Sequence, residues 1–185
     1  DDEIEDATGD NTLLGGTGDD NIEAGGGDDS ISGGDGEDEI FGGDGDDTIT
    51  GGSGADEIDG GDGNDIFRFL DPGDGGLVSS NVIKGSIDGD TIDGEFEGAD
   101  KFQFISSAFG NLATGTLSSN NFTDLQASNT QYDGTNSGKS GAIFIYDNTN
   151  TLYFDPNTSA AGYTVIAQTE FGTSVANTDI DIVAS

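Results

Sequence analysis

Residues 15–68 read, in blocks of nine, GGTGDDNIE, AGGGDDSIS, GGDGEDEIF, GGDGDDTIT, GGSGADEID and GGDGNDIFR. The eighth place of each block holds a large apolar residue: Ile22, Ile31, Ile40, Ile49, Ile58 and Phe67. The sixth place holds an aspartate: Asp20, Asp29, Asp38, Asp47, Asp56 and Asp65. A fixed period of this length predicts a repeat architecture, in which each unit buries its apolar residue only by stacking on its neighbours.

Glycine dominates the first, second and fourth places of the block, where it allows positive φ and a close approach of backbone carbonyls in a tight turn. The three residues after each aspartate predict one short strand with a single inward side chain. Two blocks then make one coil, so alternate blocks line two facing sheets. The inward residues of the two sheets would be Ile4, Ile22, Ile40 and Ile58, and Leu13, Ile31, Ile49 and Phe67. We predict an all-β fold, a parallel β-roll followed by an antiparallel β-rich C-terminal cap.

The turns are the candidate metal sites. Stacked turns on one side of the roll place two aspartates in each gap, such as Asp20 with Asp38, among backbone carbonyls. Oxygen-only sites with several carboxylates suit Ca²⁺ better than Mg²⁺, which keeps its waters. We expect roughly four to six ions, which supply folding energy because each site exists only in the coiled chain. The candidate ligands are the six aspartates, Asn11 of the degenerate block 6–14, and the turn glycines Gly15, Gly16, Gly18, Gly25, Gly27, Gly33, Gly34, Gly36, Gly42, Gly43, Gly45, Gly51, Gly52, Gly54, Gly60, Gly61 and Gly63.

The charge of the chain is extreme, because 38 acidic residues against 4 basic ones give a formal net charge of −34. Such a chain is repelled by nucleic acid and by anionic membrane surfaces, so we expect neither as a partner. Histidine and cysteine are absent, which argues against structural zinc, haem, disulfides and Cys–His nucleophile pairs. Because the sequence shows no apolar run of membrane-spanning length and does not open on a charged, apolar and small-residue pattern, we expect neither a membrane span nor an N-terminal secretory signal.

The composition changes after the repeats, where aromatic and β-branched residues become frequent. Alternating patterns predict strands at 81–93, 95–104, 142–147, 151–155 and 163–169. Residues 111–129 fit either a loop or a short helix. We divide the chain into a β-roll at 1–70 and a β-rich cap at 71–185. Because the period extends back through Leu13 to Ile4, we expect the array to begin before residue 1 and an upstream domain of the same polypeptide to be a partner.

The nonapeptide blocks resemble the haemolysin-type calcium-binding repeats of RTX proteins. The sequel NDIFRF, VIKG and FEGADKFQF resembles the segment after the repeats in secreted RTX enzymes and adhesins, although Glu95 stands where that pattern has aspartate. Residues 143–167, IFIYDNTNTLYFDPNTSAAGYTVIA, resemble the C-terminal portion of such proteins. The resemblance implies a secreted, extracellular protein exported by the type I secretion machinery, with an uncleaved signal near the terminal TDIDIVAS. By its pattern alone, TDIDIVAS predicts an edge strand.

Two functions fit this sequence. The first is a non-catalytic, structural calcium-binding module that folds when it meets calcium outside the cell. The second is a calcium-dependent polysaccharide- or cell-surface-binding module. Its sugar-stacking platform would consist of tyrosines that fit a core equally well, namely Tyr132, Tyr146, Tyr153 and Tyr163. No pair of carboxylates is marked as catalytic, and the spacing of the aspartates at 88–94 does not match an EF-hand.

Overall fold

The computed structural model describes residues 1–70, 78–79, 90–93, 100–107, 109, 114–117, 122–124, 143–146, 151–155, 163–169, 175 and 179–184. Within these residues the regular structure is almost entirely β-strand, and an α-helix is not found among them. No helix of this described part is long and apolar enough to cross a membrane.

The repeats form two parallel sheets that face each other. The first sheet contains β1 (Glu3–Glu5), β3 (Asn21–Gly26), β5 (Glu39–Asp44) and β7 (Glu57–Asp62). The second contains β2 (Thr12–Thr17), β4 (Ser30–Asp35), β6 (Thr48–Ser53) and β8 (Ile66–Phe69). Neighbouring strands of a sheet come from blocks that are two apart, as in the pairs Ile22–Ile40 and Ile31–Ile49. The predicted all-β roll and its alternating use of blocks are confirmed.

The repeat strands are longer than the three residues that the sequence predicts. The strands β3 to β7 span six residues each, because pairing continues past the apolar residue and through the paired glycines. Along β4 the buried places are Ile31 and Gly33, and along β3 they are Ile22 and Ala24. Each strand therefore directs two residues inward, a large apolar one and a very small one.

Both sheets continue across residue 70. The strand β10 (Asp90–Asp93) pairs in parallel with β7, and β11 (Lys101–Ile105) pairs in parallel with β8. The strand β16 (Tyr163–Thr169) then adds to β10, and β17 (Ile180–Val183) adds to β11, again in parallel. Segments outside the nonapeptide period therefore extend the same two sheets. The division into units at 1–70 and 71–185 stays a prediction.

Antiparallel pairing joins the remaining strands at the far ends of the sheets. It links β14 (Ile143–Tyr146) to β15 (Thr151–Asp155), β15 to β16, β9 (Val78–Ser79) to β16, and β12 (Gly115–Thr116) to β17. The strand β13 (Phe122–Asp124) pairs in parallel with β14.

Three sequence-based expectations about the C-terminal region have mixed outcomes. The pattern places TDIDIVAS at a sheet edge, and this is wrong because β17 lies between β11 and β12. Within 111–129 the described elements are the strands β12 and β13. The strands expected at 81–89 and 95–99 lie outside the described residues.

Aromatic rings fill the interior beyond the ladder of isoleucines. Phe69 stacks on Phe104 with ring centroids 5.2 Å apart, and Phe104 lies 4.4 Å from Phe144. Phe144 in turn lies 5.1 Å from Phe154. Because Phe69 and Phe104 belong to the second sheet and the other two to the first, this cluster joins the sheets where the repeats have ended.

Candidate metal centres in the turns

The six repeat aspartates stand in two columns, one on each side of the roll. Each aspartate immediately precedes a strand, so the parallel register stacks it on the aspartate two blocks away. Their side chains are only 1–3% exposed. The first column contains Asp20, Asp38 and Asp56, and the second contains Asp29, Asp47 and Asp65.

One carboxylate oxygen of each aspartate is held by the backbone of the preceding coil. The N–H of Asp20 donates to Oδ1 of Asp38 at 2.8 Å, and that of Asp38 donates to Oδ1 of Asp56 at 2.9 Å. The second column repeats the pattern at 2.8 and 3.0 Å. Each bond spans 18 residues, so every step along the column brings one carboxylate into the gap between two coils.

The other carboxylate oxygen lacks a hydrogen-bond donor. Within the described residues, the buried Oδ2 atoms of Asp20, Asp29, Asp38 and Asp47 accept no hydrogen bond. Burial of an ionised oxygen without a partner is strongly unfavourable. Residues 1–67 contain no lysine or arginine that could neutralise these oxygens. A cation bound between the coils would therefore stabilise these buried carboxylates.

The first-place glycines leave room for these oxygens. A Cβ built on Gly15 would lie 2.5 Å from Oδ2 of Asp20 and 2.6 Å from the carbonyl oxygen of Gly33. A Cβ on Gly33 would likewise collide with the carboxylate of Asp38 and approach the carbonyl of Gly51. A carboxylate oxygen and a carbonyl oxygen therefore converge on the same space beside Gly15, Gly33 and Gly42.

The second- and fourth-place glycines are required for another reason. Gly52 and Gly54 have φ values of +119° and +143°, in the region that side chains disfavour. A Cβ on Gly52 would also collide with the carbonyl of Gly34 in the preceding coil. The first-place glycines, by contrast, have no positive φ. The prediction of positive φ at all three places is therefore wrong for the first place, where steric exclusion is the reason for glycine.

Burial changes the acid–base behaviour of the inner aspartates. It raises the pKa of Asp47 and of Asp65 to about 6, although hydrogen bonds from the backbone oppose the shift. Burial also raises the pKa of Asp38. On the exposed rim of the turn, hydrogen bonds from the side chain and backbone of Asn64 lower the pKa of Asp46. The inner acids therefore attract a proton or a cation more strongly than the rim acids do.

Sequence reasoning missed Asp100, which continues the second column. The N–H of Asp65 donates to Oδ1 of Asp100 at 2.9 Å, and the Asp100 side chain is buried. The next strand pairs Phe102 with Phe67, as the repeats pair their apolar residues. A signal was present, since Gly98, Asp100 and Phe102 keep the fourth, sixth and eighth places of the block. The separation of 35 residues from Asp65 hid it from a search at a fixed period.

The backbone of Asp90 occupies the corresponding place in the first column. Thr91 pairs with Glu57 and Ile92 with Ile58, so residue 90 stands beside Asp56. The aspartate-rich stretch 88–94, which fails the EF-hand pattern, therefore includes a strand of the roll.

Asn11 behaves differently from the aspartates with which it was grouped as a candidate ligand. Its backbone N–H donates to Oδ1 of Asp29 at 2.7 Å, as an aspartate in the column would. Its side-chain Nδ2 donates to the carbonyl of Gly9 at 2.8 Å and to that of Thr8 at 3.5 Å. This side chain thus presents a donor to the turn, where the other blocks present a carboxylate.

The donor set of the turns fits a calcium ion. Among the described residues no three acidic side chains gather around one point, so an ion between coils would take carbonyl oxygens together with one or two carboxylates. Ca²⁺ accepts 6–8 oxygen ligands of both kinds in flexible geometry. The assignment of individual aspartates and glycines as ligands stays a prediction.

Two of the four tyrosines considered for a sugar-stacking platform are buried. Tyr146 is 0% exposed and Tyr153 is 5% exposed, so neither ring is available to a sugar. Tyr132 and the side chain of Tyr163 lie outside the described residues. For Tyr146 and Tyr153, the interpretation as core aromatics is confirmed.

Comparisons with known proteins agree with the repeat pattern. The family model described as the RTX calcium-binding nonapeptide repeat matches residues 5–40 and 32–67, with four copies. No curated protein matches the chain at a significant level. Among solved structures, the chain is similar to the AlgE6R3 subunit of the Azotobacter vinelandii mannuronan C5-epimerase, with 22% identity, a TM-score of 0.46, and coverage of 96% of this chain and 80% of that chain. It is also similar to the AlgE6R2 subunit of the same enzyme, with 24% identity, a TM-score of 0.45, and coverage of 98% and 92%.

Proposed function

We propose, from the match of residues 5–40 and 32–67 to the RTX calcium-binding nonapeptide repeat model, that the chain is a structural, non-catalytic module whose folding is driven by Ca²⁺ after export from the cell. The ligands we assign are the column aspartates, including Asp100, together with the turn carbonyls. We retain roughly four to six ions as the expected number.

The observation that carries this proposal is the row of buried Oδ2 atoms without donors. Asp20, Asp29, Asp38 and Asp47 each contribute one such atom, and no basic residue occurs before Arg68. Without a cation, coiling the chain would bury the charges of Asp29, Asp38 and Asp47 without a cationic partner, so the coiled state is strongly disfavoured. A bound divalent cation supplies charge neutralisation and a common ligand for adjacent coils, so binding free energy becomes folding free energy.

Export follows from the same electrostatics. A chain with a net charge of −34 repels itself where calcium is scarce, as it is inside cells, and would stay extended enough to pass a secretion channel. Outside the cell, sites with an affinity of about 10⁻⁴ to 10⁻³ M would fill. We therefore propose an extracellular location and the type I secretion machinery as a transient partner. An upstream domain of the same polypeptide stays a prediction. Binding of a polysaccharide or a cell surface stays a prediction, for which Tyr146 and Tyr153 are not available.

The test is a calcium titration of the metal-free chain, followed by far-UV circular dichroism, with Mg²⁺ as the control ion. We expect a cooperative gain of β signal with Ca²⁺ alone. The double variant Asp38→Asn/Asp47→Asn should need more calcium, because it removes two inner charges. The matched variant Glu39→Gln/Glu57→Gln removes two charges from the exposed face of the first sheet and should titrate like the wild type. A chain that is fully folded without calcium, and indifferent to it, would refute the proposal.

A further inference from the structure

We propose that the turn at residues 8–11 takes up no calcium ion, because the side-chain amide of Asn11 occupies the role that the ion has in the other turns. This inference rests on the proposed calcium-driven folding and corrects the grouping of Asn11 with the ligands. In the degenerate block 6–14, hydrogen bonds from a side chain would then hold the turn together without a bound ion.

The hydrogen bonds of the Asn11 side chain are the first step of the argument. Nδ2 donates to the carbonyl oxygen of Gly9 at 2.8 Å and lies 3.5 Å from that of Thr8. The amide nitrogen carries two hydrogens, so it can serve both carbonyls. Because carbonyls are acceptors only, this arrangement also fixes which end of the amide faces the turn. The two carbonyls are thereby satisfied without a cation.

The backbone of Asn11 is placed like that of the column aspartates. Its N–H donates to Asp29 Oδ1 at 2.7 Å, compared with 2.8 Å for the N–H of Asp29 to Asp47. Its carbonyl accepts from Ser30 at 3.0 Å, compared with 2.9 Å for the bond from Thr48 to Asp29. The turn also has Asp6 and Ala7 in its first two places, but at the sixth place it differs from the aspartate turns by an amide in place of a carboxylate.

The corresponding carbonyls of the aspartate blocks have no such donor. Across the described repeats, no side-chain N–H is bonded to the fourth-place carbonyls of Gly18, Gly27 or Gly36. A carboxylate at the sixth place cannot donate a hydrogen bond, so carbonyl and carboxylate oxygens together attract a cation. At Asn11 the donor is already in place, and an ion there would have to compete with it while gaining one negative charge fewer.

The experiment counts bound calcium per chain by equilibrium dialysis at saturation. It compares the wild type with Asn11→Ala, Asn11→Asp and Asn64→Asp. Asn64→Asp is the matched control, because it adds the same charge on the exposed rim of a turn. Asn64 is the fifth residue of its block, and another block already has an aspartate, Asp46, at that place. We expect Asn11→Ala and Asn64→Asp to bind as many ions as the wild type, and Asn11→Asp to bind one more.

Two results would overturn the inference. Loss of one ion in Asn11→Ala would make Asn11 a ligand, and an unchanged count in Asn11→Asp would show that the carboxylate does not create a site. The comparison of Asn11→Asp with the wild type decides the matter whatever the wild-type count is. A wild type that binds no calcium at all would instead refute the proposed function.

Discussion

At the scale of single residues, the three glycines of a block are required for different physical reasons. The first-place glycine is small because a carboxylate and a carbonyl oxygen occupy the space of its missing Cβ. The second-place glycine combines positive φ with close contact to the preceding coil, as at Gly52. Outside the repeats, Gly115 in β12 separates the two effects. It has φ +110° but nothing within 4 Å of its would-be Cβ.

Alanine at Gly115 and at Gly52 should therefore destabilise the protein to different extents. Gly115→Ala suffers only the unfavourable φ, whereas Gly52→Ala also drives a methyl group into the carbonyl of Gly34. Overpacking of this kind costs about 1–3 kcal/mol beyond the backbone strain. Denaturant unfolding at saturating calcium measures both free energies of unfolding. Equal losses in the two variants would contradict the stacking of carbonyl on glycine.

The inner aspartates also predict a pH dependence for the calcium-free chain. Burial raises the pKa of Asp47 and Asp65 in the folded state to about 6, well above the ordinary value for an aspartate. The folded state thus binds protons more tightly than the unfolded chain, so its stability rises as pH falls through 6 and is lost as pH rises through 6. Protons on Asp47 and Asp65 would thus partly neutralise the charge that bound cations otherwise neutralise.

We therefore expect the β signal of the calcium-free chain to grow between pH 7 and about 4. Circular dichroism in metal-free buffer measures it, and Asp47→Asn/Asp65→Asn should depend less on pH because its inner amides are neutral throughout. A β signal that falls on acidification over this range would show that the inner acids are not held above their ordinary pKa.

At the scale of elements, the strands after the repeats join the roll although their spacing breaks the period. The strand β11 follows Asp100 and pairs with β8 in the register that the repeat strands use. Its aspartate receives the N–H of Asp65, as each aspartate receives the N–H of the coil before it. The column of carboxylates therefore reaches beyond the nonapeptides, and so should the bound calcium.

Replacement of Asp100 by asparagine should remove one calcium ion from the chain. The amide oxygen of Asp100→Asn can still accept the N–H of Asp65, so the change removes a charge and leaves the backbone contact. The control is Asp181→Asn on the outward-facing side of β17, which should leave the count unchanged. Equilibrium dialysis measures both. An unchanged count in Asp100→Asn would end the column at Asp65.

At the scale of the whole molecule, the balance between self-repulsion and ion binding decides whether the chain is compact. The first 68 residues contain 23 of the 38 acidic residues but only one of the four basic residues, Arg68. The interior of the roll is narrow, since each strand contributes one large apolar residue and one very small one. So small a core cannot offset repulsion and chain entropy alone.

Small-angle scattering should therefore show a large change of size with calcium. For a chain of this length the radius of gyration is about 45 Å when unfolded and about 16 Å when compact. We expect the repeats to expand the calcium-free chain toward the larger value at neutral pH, and calcium to restore a radius below about 20 Å. Magnesium at the same ionic strength is the control, because it screens charge without matching the site. Equal compaction by both ions would show that calcium acts only by screening charge and not by binding to the turns.

The sequence by itself determined the roll and its two sheets, and it indicated calcium as the ion that the proposed function requires. An apolar residue every nine places and an aspartate two places before it leave one way to stack, because each block can bury its isoleucine only against the block two away. Ile22 with Ile40 and Ile31 with Ile49 pair as that argument requires. Local periodicity was sufficient here because the contacts that matter repeat at a constant separation.

The tertiary structure alone decided what happens where that separation changes. Asp65 meets Asp100, and Glu57 pairs with Thr91, across connections whose lengths no period specifies. The place of β17 between two strands depends on partners elsewhere in the chain, which an alternating pattern does not reveal. The direction of the Asn11 amide toward its own turn is likewise set in three dimensions. Pairing across long connections depends on the sheet edge available and on the interior left to fill, and these exist only once the roll has formed.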